Sequence, residues 1–196
     1  MKLNIPDREF GAYIFDCDGT LADTMPLHYR AWGELLKDYG GTLPEDLFYG
    51  MGGKPTEQIL EFLRDQFALP IHDLGAAAHR KEALFLDLLD QVKPIEAVVT
   101  VARRWHGIKP LGVASGGFRR NVEMTLAALG ILDLFDAIVC VEDCARGKPF
   151  PDPFLETARR LQGAAADCLV FEDSPLGIEA AGAAGMAWVL VPRNGP

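Results

Sequence analysis

The chain has 196 residues, 49% of them hydrophobic and 24% charged, and its formal net charge is −9 at pH 7. These values are typical of a globular protein with one large domain or two small ones, and they exclude a disordered chain. The negative charge argues against binding to nucleic acid or to an anionic membrane surface, since both require a basic face. No apolar run is long enough to cross a membrane, and residues 1–9 do not resemble a signal peptide. We therefore expect a cytoplasmic protein.

Short apolar runs alternate with helical patterns along much of the chain. Each run is as long as a buried strand and is followed by polar or turn-forming residues. Helical patterns cover residues 118–129, 153–161 and 175–184. Apolar strands separated by helices indicate an α/β fold with a parallel sheet that is covered on both faces. The predicted strands are residues 12–16, 111–114, 137–141, 168–171 and 187–191.

The long interval between the first two predicted strands has a different pattern. Apolar residues recur there at helical spacing, and no convincing strand pattern occurs. Glycines or a proline follow two of the helical stretches, which is typical of helix ends. The predicted helical stretches are residues 25–39, 56–68 and 73–92.

These patterns predict an α/β core of residues 1–23 and 95–196, with a helical cap of residues 24–94 inserted after the first strand. The first strand should be central in a five-stranded sheet, flanked by the second and fourth predicted strands, because the polar residues after these strands must meet. Thr24 and Thr56 are expected to cap helices rather than to take part in chemistry.

Polar clusters follow the first, second and fourth predicted strands, and another lies shortly after the third. In an open parallel sheet, ligands bind beyond the carboxyl ends of the strands. We therefore expect these clusters to converge, although they are spread over more than a hundred residues of sequence. Their chemically functional members are Asp16, Asp18, Ser115, Gly116, Lys148, Glu172 and Asp173.

Together these residue types are typical of phosphoryl transfer. Carboxylates gathered in one crevice repel each other unless a cation lies among them, and such oxygen ligands suit Mg²⁺. Lys148 offers a point charge for a phosphate or a neighbouring carboxylate. Ser115 and the glycines after it offer a hydroxyl and backbone amides near a helix start, where phosphate binds well. Asp16 could attack phosphorus to form an aspartyl phosphate, and Asp18 could act as the acid and base.

The order of these clusters resembles that of the haloacid dehalogenase-like phosphohydrolases, and the resemblance covers nearly the whole chain. The helical insert is similar to the cap of the subgroup that contains β-phosphoglucomutase and small sugar-phosphate phosphatases. Within this subgroup, the fructose-1-phosphate phosphatase branch is the one most similar to two segments of the chain, MPLHYRAW at 25–32 and WHG at 105–107. The four motifs of the family are matched by FDCDGTLADT at 15–24, VASG at 113–116, GKPFPDPF at 147–154 and FEDSPLGIEAA at 171–181.

The resemblance implies an α/β Rossmann-like core with a helical cap, and it assigns roles to the acidic residues. It implies that Asp16 is the nucleophile and that Asp18 is the general acid and base. Mg²⁺ would be held by Asp16, Asp173 and the carbonyl of Asp18. Glu172 would be an outer or alternative ligand.

Further residues are candidates for binding the substrate. Ser115, Gly116 and Lys148 would hold the phosphate group. In the cap, three side chains could recognise a sugar. The alternative for each of them is a structural or surface role. These cap candidates are His28, Lys54 and Lys81.

The expected function is Mg²⁺-dependent hydrolysis of a small phosphorylated sugar, with fructose 1-phosphate among the candidates, by a monomer or weak homodimer. A phosphomutase with the same aspartyl-phosphate chemistry is the alternative. The β-phosphoglucomutase pattern places an arginine in the cap loop where Pro55 stands here, and the adjacent Lys54 lacks the bidentate fork of arginine. A non-catalytic binding protein is a third hypothesis, against which the intact motifs argue.

Overall fold

The first strand of the chain is the central strand of a five-stranded parallel sheet. The strands are β1 (Ala12–Phe15), β2 (Leu111–Ala114), β3 (Ala137–Val139), β4 (Cys168–Glu172) and β5 (Ala187–Leu190). In the computed structural model, which describes residues 1–192, their order is β3-β2-β1-β4-β5 and all neighbours are parallel. The predicted α/β fold and the central position of the first strand are confirmed.

Helices fill the intervals between the strands. The predicted helix over 73–92 is an α-helix that ends at Leu86, followed by a 3₁₀ turn at Leu89–Gln91. The α-helices of the described residues are α1 (Met25–Lys37), α2 (Glu45–Gly50), α3 (Thr56–Phe67), α4 (Leu74–Leu86), α5 (Glu96–Trp105), α6 (Arg119–Ala128), α7 (Asp152–Arg160) and α8 (Pro175–Ala183).

Two of these helices, α2 and α5, are absent from the sequence-based prediction. Helix α2 has six residues, which is too short for a clear helical periodicity. Helix α5 contains four consecutive β-branched residues at 98–101, a composition that favours strands. It is helical because Val98, Val99 and Ala102 form one buried face that packs in the core beside the sheet.

Alternate residues of β1 pack into two hydrophobic clusters, one on each face of the sheet. Tyr13 and Phe15 lie in a cluster with apolar residues of α5 and α6. Ala12 and Ile14 lie in a second cluster with apolar residues of α7 and α8. Because side chains of a strand alternate between its faces, this arrangement buries β1 completely. The end of β1 therefore has a fixed position, and so does the residue that follows it.

Residues 24–94, called here the helical segment, contain helices and no strand. Their apolar residues form two further clusters of their own. The two linkers to the sheet run side by side, since Asp23 N donates to Lys93 O at 2.8 Å and Ile95 N donates to Leu21 O at 2.9 Å. Adjacent linkers suit the predicted domain boundaries, although the division into two domains stays a prediction. Within residues 1–192, no helix has both the length and the apolar character needed to cross a membrane.

Substitution of Leu63 by Ala in α3 should destabilise the helical segment strongly. Leu63 is fully buried, and removing a buried leucine side chain leaves a cavity that costs about 2–5 kcal/mol of unfolding free energy. Phe67→Ala is the control, because Phe67 lies on the same helix and is 46% exposed. Its expected loss is about 1 kcal/mol or less. Urea denaturation followed by circular dichroism measures both, and equal losses would contradict the packing described.

Candidate active site

The polar residues singled out in the sequence converge at the carboxyl ends of the strands. Asp16 directly follows β1, Ser115 directly follows β2, and Glu172 is the last residue of β4. Lys148 arrives on the loop between β3 and α7, and it is buried with them. All of these residues line one pocket together with residues of the helical segment, and the cavity there has a volume of about 130 Å³. The convergence expected from the sequence is therefore present.

Lys148 lies between two carboxylates that come from different strands. Its Nζ atom is 2.6 Å from Asp16 Oδ1 and 2.6 Å from Glu172 Oε2. Burial lowers the pKa of Lys148, but the charges of Asp16 and Glu172 outweigh it and raise that pKa above its ordinary value. The ammonium group is thus charged and can hold the carboxylates, or a phosphate, in place.

The surroundings of the Asp16 carboxyl group disfavour its charged form, in contrast to those of Lys148. Burial and, after it, the charge of Glu172 raise the pKa of Asp16 well above its ordinary value, while Lys148 opposes this shift. The backbone N–H of Asp16 donates to Phe171 O at 3.0 Å, which extends the pairing of β1 and β4 by one residue. Asp16 is therefore held rigidly, in surroundings where an additional positive charge would stabilise its ionised form.

Glu172 has donors on both of its carboxylate oxygens. Oε2 accepts from Lys148, and Oε1 accepts from the Asp173 and Ser174 amides at 3.1 and 2.9 Å and from the Ser174 hydroxyl at 2.8 Å. The Ser174 hydroxyl also accepts from Gly177 N at 3.1 Å and caps α8. These contacts favour a positioning role for Glu172 over direct metal ligation, and its role as an alternative ligand stays a prediction.

The acidic residues at this edge of the sheet can hold a divalent cation. Asp16, Glu172 and Asp173 are buried, and each offers an oxygen within 4.8 Å of the others. Lys148 contacts two of the three carboxylates, and when all three are ionised they carry more negative charge than this one lysine offsets. An all-oxygen set of this kind fits Mg²⁺. Gly19 allows the loop after β1 to approach Asp173 closely, because it has a φ of +83° and an added Cβ would lie 2.5 Å from Asp173 Oδ2.

Asp18 is bound by side chains of the helical segment. Its Oδ1 atom accepts from the Thr24 hydroxyl at 2.7 Å and lies 3.3 Å from His28 Nε2. Burial raises the pKa of Asp18, but the hydrogen bonds from His28 and Thr24 and the nearby positive charge of Lys81 bring it down to about 2. Asp18 is thus ionised in this arrangement. Thr24 makes no side-chain cap for α1, so its predicted capping role is wrong.

His28 connects Asp18 to Lys81. Its Nδ1 atom lies 2.8 Å from Lys81 Nζ, and its ring stacks on Phe85 with centroids 3.9 Å apart. Burial, followed by the charge of Lys81, lowers the pKa of His28. A neutral imidazole fits these contacts, with Nδ1 accepting from Lys81 and Nε2–H donating to Asp18. The contact of His28 with substrate stays a prediction.

The remaining predicted binding residues lie around the same pocket. The Ser115 hydroxyl is buried and accepts from Gly117 N at 3.0 Å, which shapes the loop before α6. Gly116 lines the pocket beside it. Lys81 is buried in the wall formed by the helical segment, whereas Lys54 lines the pocket from an exposed position.

Sequence reasoning missed several polar residues of the pocket, and two of them, Glu82 and Asn121, contact each other. Glu82 accepts hydrogen bonds from Thr56, Lys81 and Asn121, so the Thr56 hydroxyl contacts a pocket residue instead of capping α3. Asn121 reaches this contact from α6. Neither residue belongs to a polar cluster after a strand. Their approach depends on how the helical segment lies on α6, which no local pattern encodes.

Comparisons with known proteins agree with this geometry. The family model described as haloacid dehalogenase-like hydrolase matches residues 10–185. Fructose-1-phosphate phosphatase YqaB of Escherichia coli (strain K12) is 37% identical over 179 residues, which cover 91% of this chain and 95% of that protein. The β-phosphoglucomutase of Bacillus subtilis (strain 168) is 32% identical over 193 residues, 94% of this chain and 84% of that protein. The crystal structure of CbbY from Rhodobacter sphaeroides in complex with phosphate shares the fold, with a TM-score of 0.85 at 23% identity over 93% of this chain and 86% of that chain.

Substitution of Gly19 by Ala should damage the cation site, and Gly40→Ala is its matched control. Both glycines have positive φ, +83° and +68°, so both variants strain the backbone by about 1–2 kcal/mol. The new Cβ would collide with Asp173 only at Gly19. At Gly40, apart from the glycine and its two chain neighbours, no heavy atom of the described residues lies within 4 Å of the new Cβ. Mg²⁺ should therefore raise the melting temperature of Gly40→Ala and of the unaltered protein, but raise that of Gly19→Ala less. Calorimetry at increasing Mg²⁺ measures this, and equal increases in all three would contradict it.

Proposed function

Since the chain belongs to the haloacid dehalogenase-like hydrolases and is a phosphatase, we propose that it hydrolyses small sugar phosphates in a Mg²⁺-dependent reaction through an aspartyl phosphate. The observation that carries this proposal is the contact of Lys148 with Asp16 and Glu172, beside the group of three buried carboxylates. This arrangement joins a nucleophile, a fixed positive charge and a cation site in one pocket.

In the first half-reaction, a carboxylate oxygen of Asp16 attacks phosphorus, and the bond from phosphorus to the sugar oxygen breaks. Lys148 holds Asp16 in position, and Ser115 with the amides after it binds the phosphate oxygens. Mg²⁺, held by Asp16, Asp173 and the Asp18 carbonyl, would supply positive charge to the nucleophile and to the phosphate oxygens. Glu172 keeps Lys148 and the loop after β4 in place.

Asp18 moves the proton in both half-reactions. It donates a proton to the departing sugar oxygen, and it then takes a proton from the water that attacks the phosphorylated Asp16. Burial alone raises the pKa of Asp18, and the hydrogen bonds of Thr24 and His28 lower it. Displacement of either donor by the substrate would therefore favour the protonated form that the first step needs. The second step releases inorganic phosphate and restores the carboxylate of Asp16.

The size of the pocket and the similarity to sugar phosphatases support the proposed substrate class. Residues 24–94 act as a cap over the core of residues 1–23 and 95–196, and the small cavity beneath them suits a compact sugar phosphate. His28, Lys54 and Lys81 line it on the cap side. The similarity to fructose-1-phosphate phosphatase makes fructose 1-phosphate the first substrate to test.

Hydrolysis is favoured over a phosphomutase reaction by the loop between α2 and α3. A mutase must bind a second phosphate while the first is transferred, and this loop presents Lys54 and Pro55 in place of an arginine. A single exposed lysine binds phosphate without the bidentate geometry of arginine. The phosphorylated Asp16 should therefore be discharged by water.

Replacement of Asp16 by Asn should abolish phosphate release from fructose 1-phosphate, because the amide cannot form the aspartyl phosphate. Asp18→Asn should lower kcat about 10²–10⁴-fold through loss of the proton transfer. Asp87→Asn, an exposed position at the end of α4, is the control and should match the unaltered enzyme. A Malachite Green assay with Mg²⁺ or with EDTA measures all of these. Near-normal activity of Asp16→Asn, or full activity in EDTA, would refute the proposed chemistry.

The distinction from a mutase has a direct assay. With β-glucose 1-phosphate and a catalytic amount of glucose 1,6-bisphosphate, we expect release of inorganic phosphate and little glucose 6-phosphate. A coupled dehydrogenase assay detects glucose 6-phosphate, and phosphate is measured in parallel. Rapid formation of glucose 6-phosphate without free phosphate would identify a mutase instead.

A further inference from the structure

The helical segment places a carboxylate inside the pocket in addition to its basic residues. Glu82 lines the same pocket as Asp16 and Ser115, and its side chain is 13% exposed. Among residues 24–94, all of which the structure describes, it is the only acidic residue in the pocket lining. A negative charge at this point needs a reason, since the proposed substrate is itself an anion.

Glu82 is held by donors from three helices. Its Oε1 atom accepts from the Thr56 hydroxyl of α3 at 2.8 Å and from Lys81 Nζ of α4 at 3.1 Å. Its Oε2 atom accepts from the side-chain amide of Asn121 on α6. A carboxylate has about four acceptor positions, so about one remains for a hydroxyl group of a ligand. Asn121 is itself buried and lines the pocket beside Glu82.

The same contacts offset the charge of Lys81. Its Nζ atom is 3.1 Å from Glu82 and 2.8 Å from His28 Nδ1, and its side chain is 4% exposed. Lys81 and Glu82 therefore form an ion pair in the wall of the pocket, and this pair can bind hydroxyl groups. Because Lys81 is engaged by Glu82 and His28, it is not free to bind a second phosphate group, and that phosphate would also lie against the Glu82 carboxylate with little water to screen the repulsion.

We propose that Glu82 determines substrate specificity. Together with Asn121 it binds the hydroxyl groups of a singly phosphorylated sugar, and its charge excludes sugars that carry a second phosphate at this end of the pocket. This inference rests on the proposed function and narrows its substrate class to monophosphates. It also supplies a second reason for hydrolysis, because a mutase must bind a sugar bisphosphate.

The test compares fructose 1-phosphate with fructose 1,6-bisphosphate, which differ by one phosphate group. The unaltered enzyme should have a kcat/KM for the bisphosphate at least about tenfold below that for the monophosphate. Glu82→Gln keeps the shape of the side chain and removes its charge. It should therefore raise the ratio of kcat/KM for the bisphosphate to kcat/KM for the monophosphate at least about tenfold. Asn121→Ala should lower kcat/KM for both substrates to a similar extent and so leave that ratio unchanged, since the charge of Glu82 remains.

Glu57→Gln is the matched control, because it removes the same charge from an exposed position on α3 outside the pocket. The ratio of its two kcat/KM values should equal that of the unaltered enzyme. An unchanged ratio in folded Glu82→Gln would overturn the role of Glu82 while leaving the proposed function intact. Equal kcat/KM values for both substrates in the unaltered enzyme would overturn the role of Glu82, even if Glu82→Gln does not fold. If p-nitrophenyl phosphate is hydrolysed but no sugar phosphate is, the proposed function and this inference both fail.

Discussion

The ion pairs of Lys148 with Asp16 and Glu172 join three parts of the chain that are far apart in sequence. Asp16 follows β1, Lys148 lies on the loop after β3, and Glu172 ends β4. Removing one partner of a buried ion pair leaves an uncompensated charge, which costs about 3–5 kcal/mol. The position of each of these residues thus depends on the other two. The carboxylate of Asp16 is held by the same interaction that ties the loop after β3 to the centre of the sheet.

The charge balance of this group favours binding of a cation. The ammonium group of Lys148 contacts Asp16 and Glu172, Asp173 lies beside these two carboxylates, and all four residues are buried. Glu172 uses its oxygens on Lys148 and on the loop after β4. Asp173 lies beside the loop that carries Gly19, and burial, Glu172 and Asp173 all raise the pKa of Asp16. A divalent cation at this point would offset the burial that raises the pKa of Asp16.

The sequence predicts the core and its motifs well because their signals are local. The apolar runs ending at Phe15, Ala114 and Phe171 are short and uninterrupted, and polar residues follow them directly. A general rule about parallel sheets then brings those residues together. Helix α5 was missed because its β-branched residues favour a strand, and only packing beside the sheet makes them helical. The contact of Glu82 with Asn121 joins residues that lie 39 positions apart on elements of different parts of the fold, so no periodicity could reveal it.

The surroundings of Asp18 are supplied partly by the helical segment, although the motif that contains Asp18 belongs to the core. The residue belongs to the loop after β1, yet the donors on its Oδ1 atom, Thr24 and His28, belong to the helical segment. His28 is in turn oriented by Lys81, and Lys81 by Glu82. A continuous chain of hydrogen bonds therefore runs from Asp18 to Glu82, the residue proposed to bind the sugar. Because these donors set the pKa of Asp18, a substrate that rearranges them also changes the proton affinity of Asp18. In the proposed reaction, recognition of the sugar and protonation of its leaving oxygen would therefore be coupled through Asp18, His28, Lys81 and Glu82.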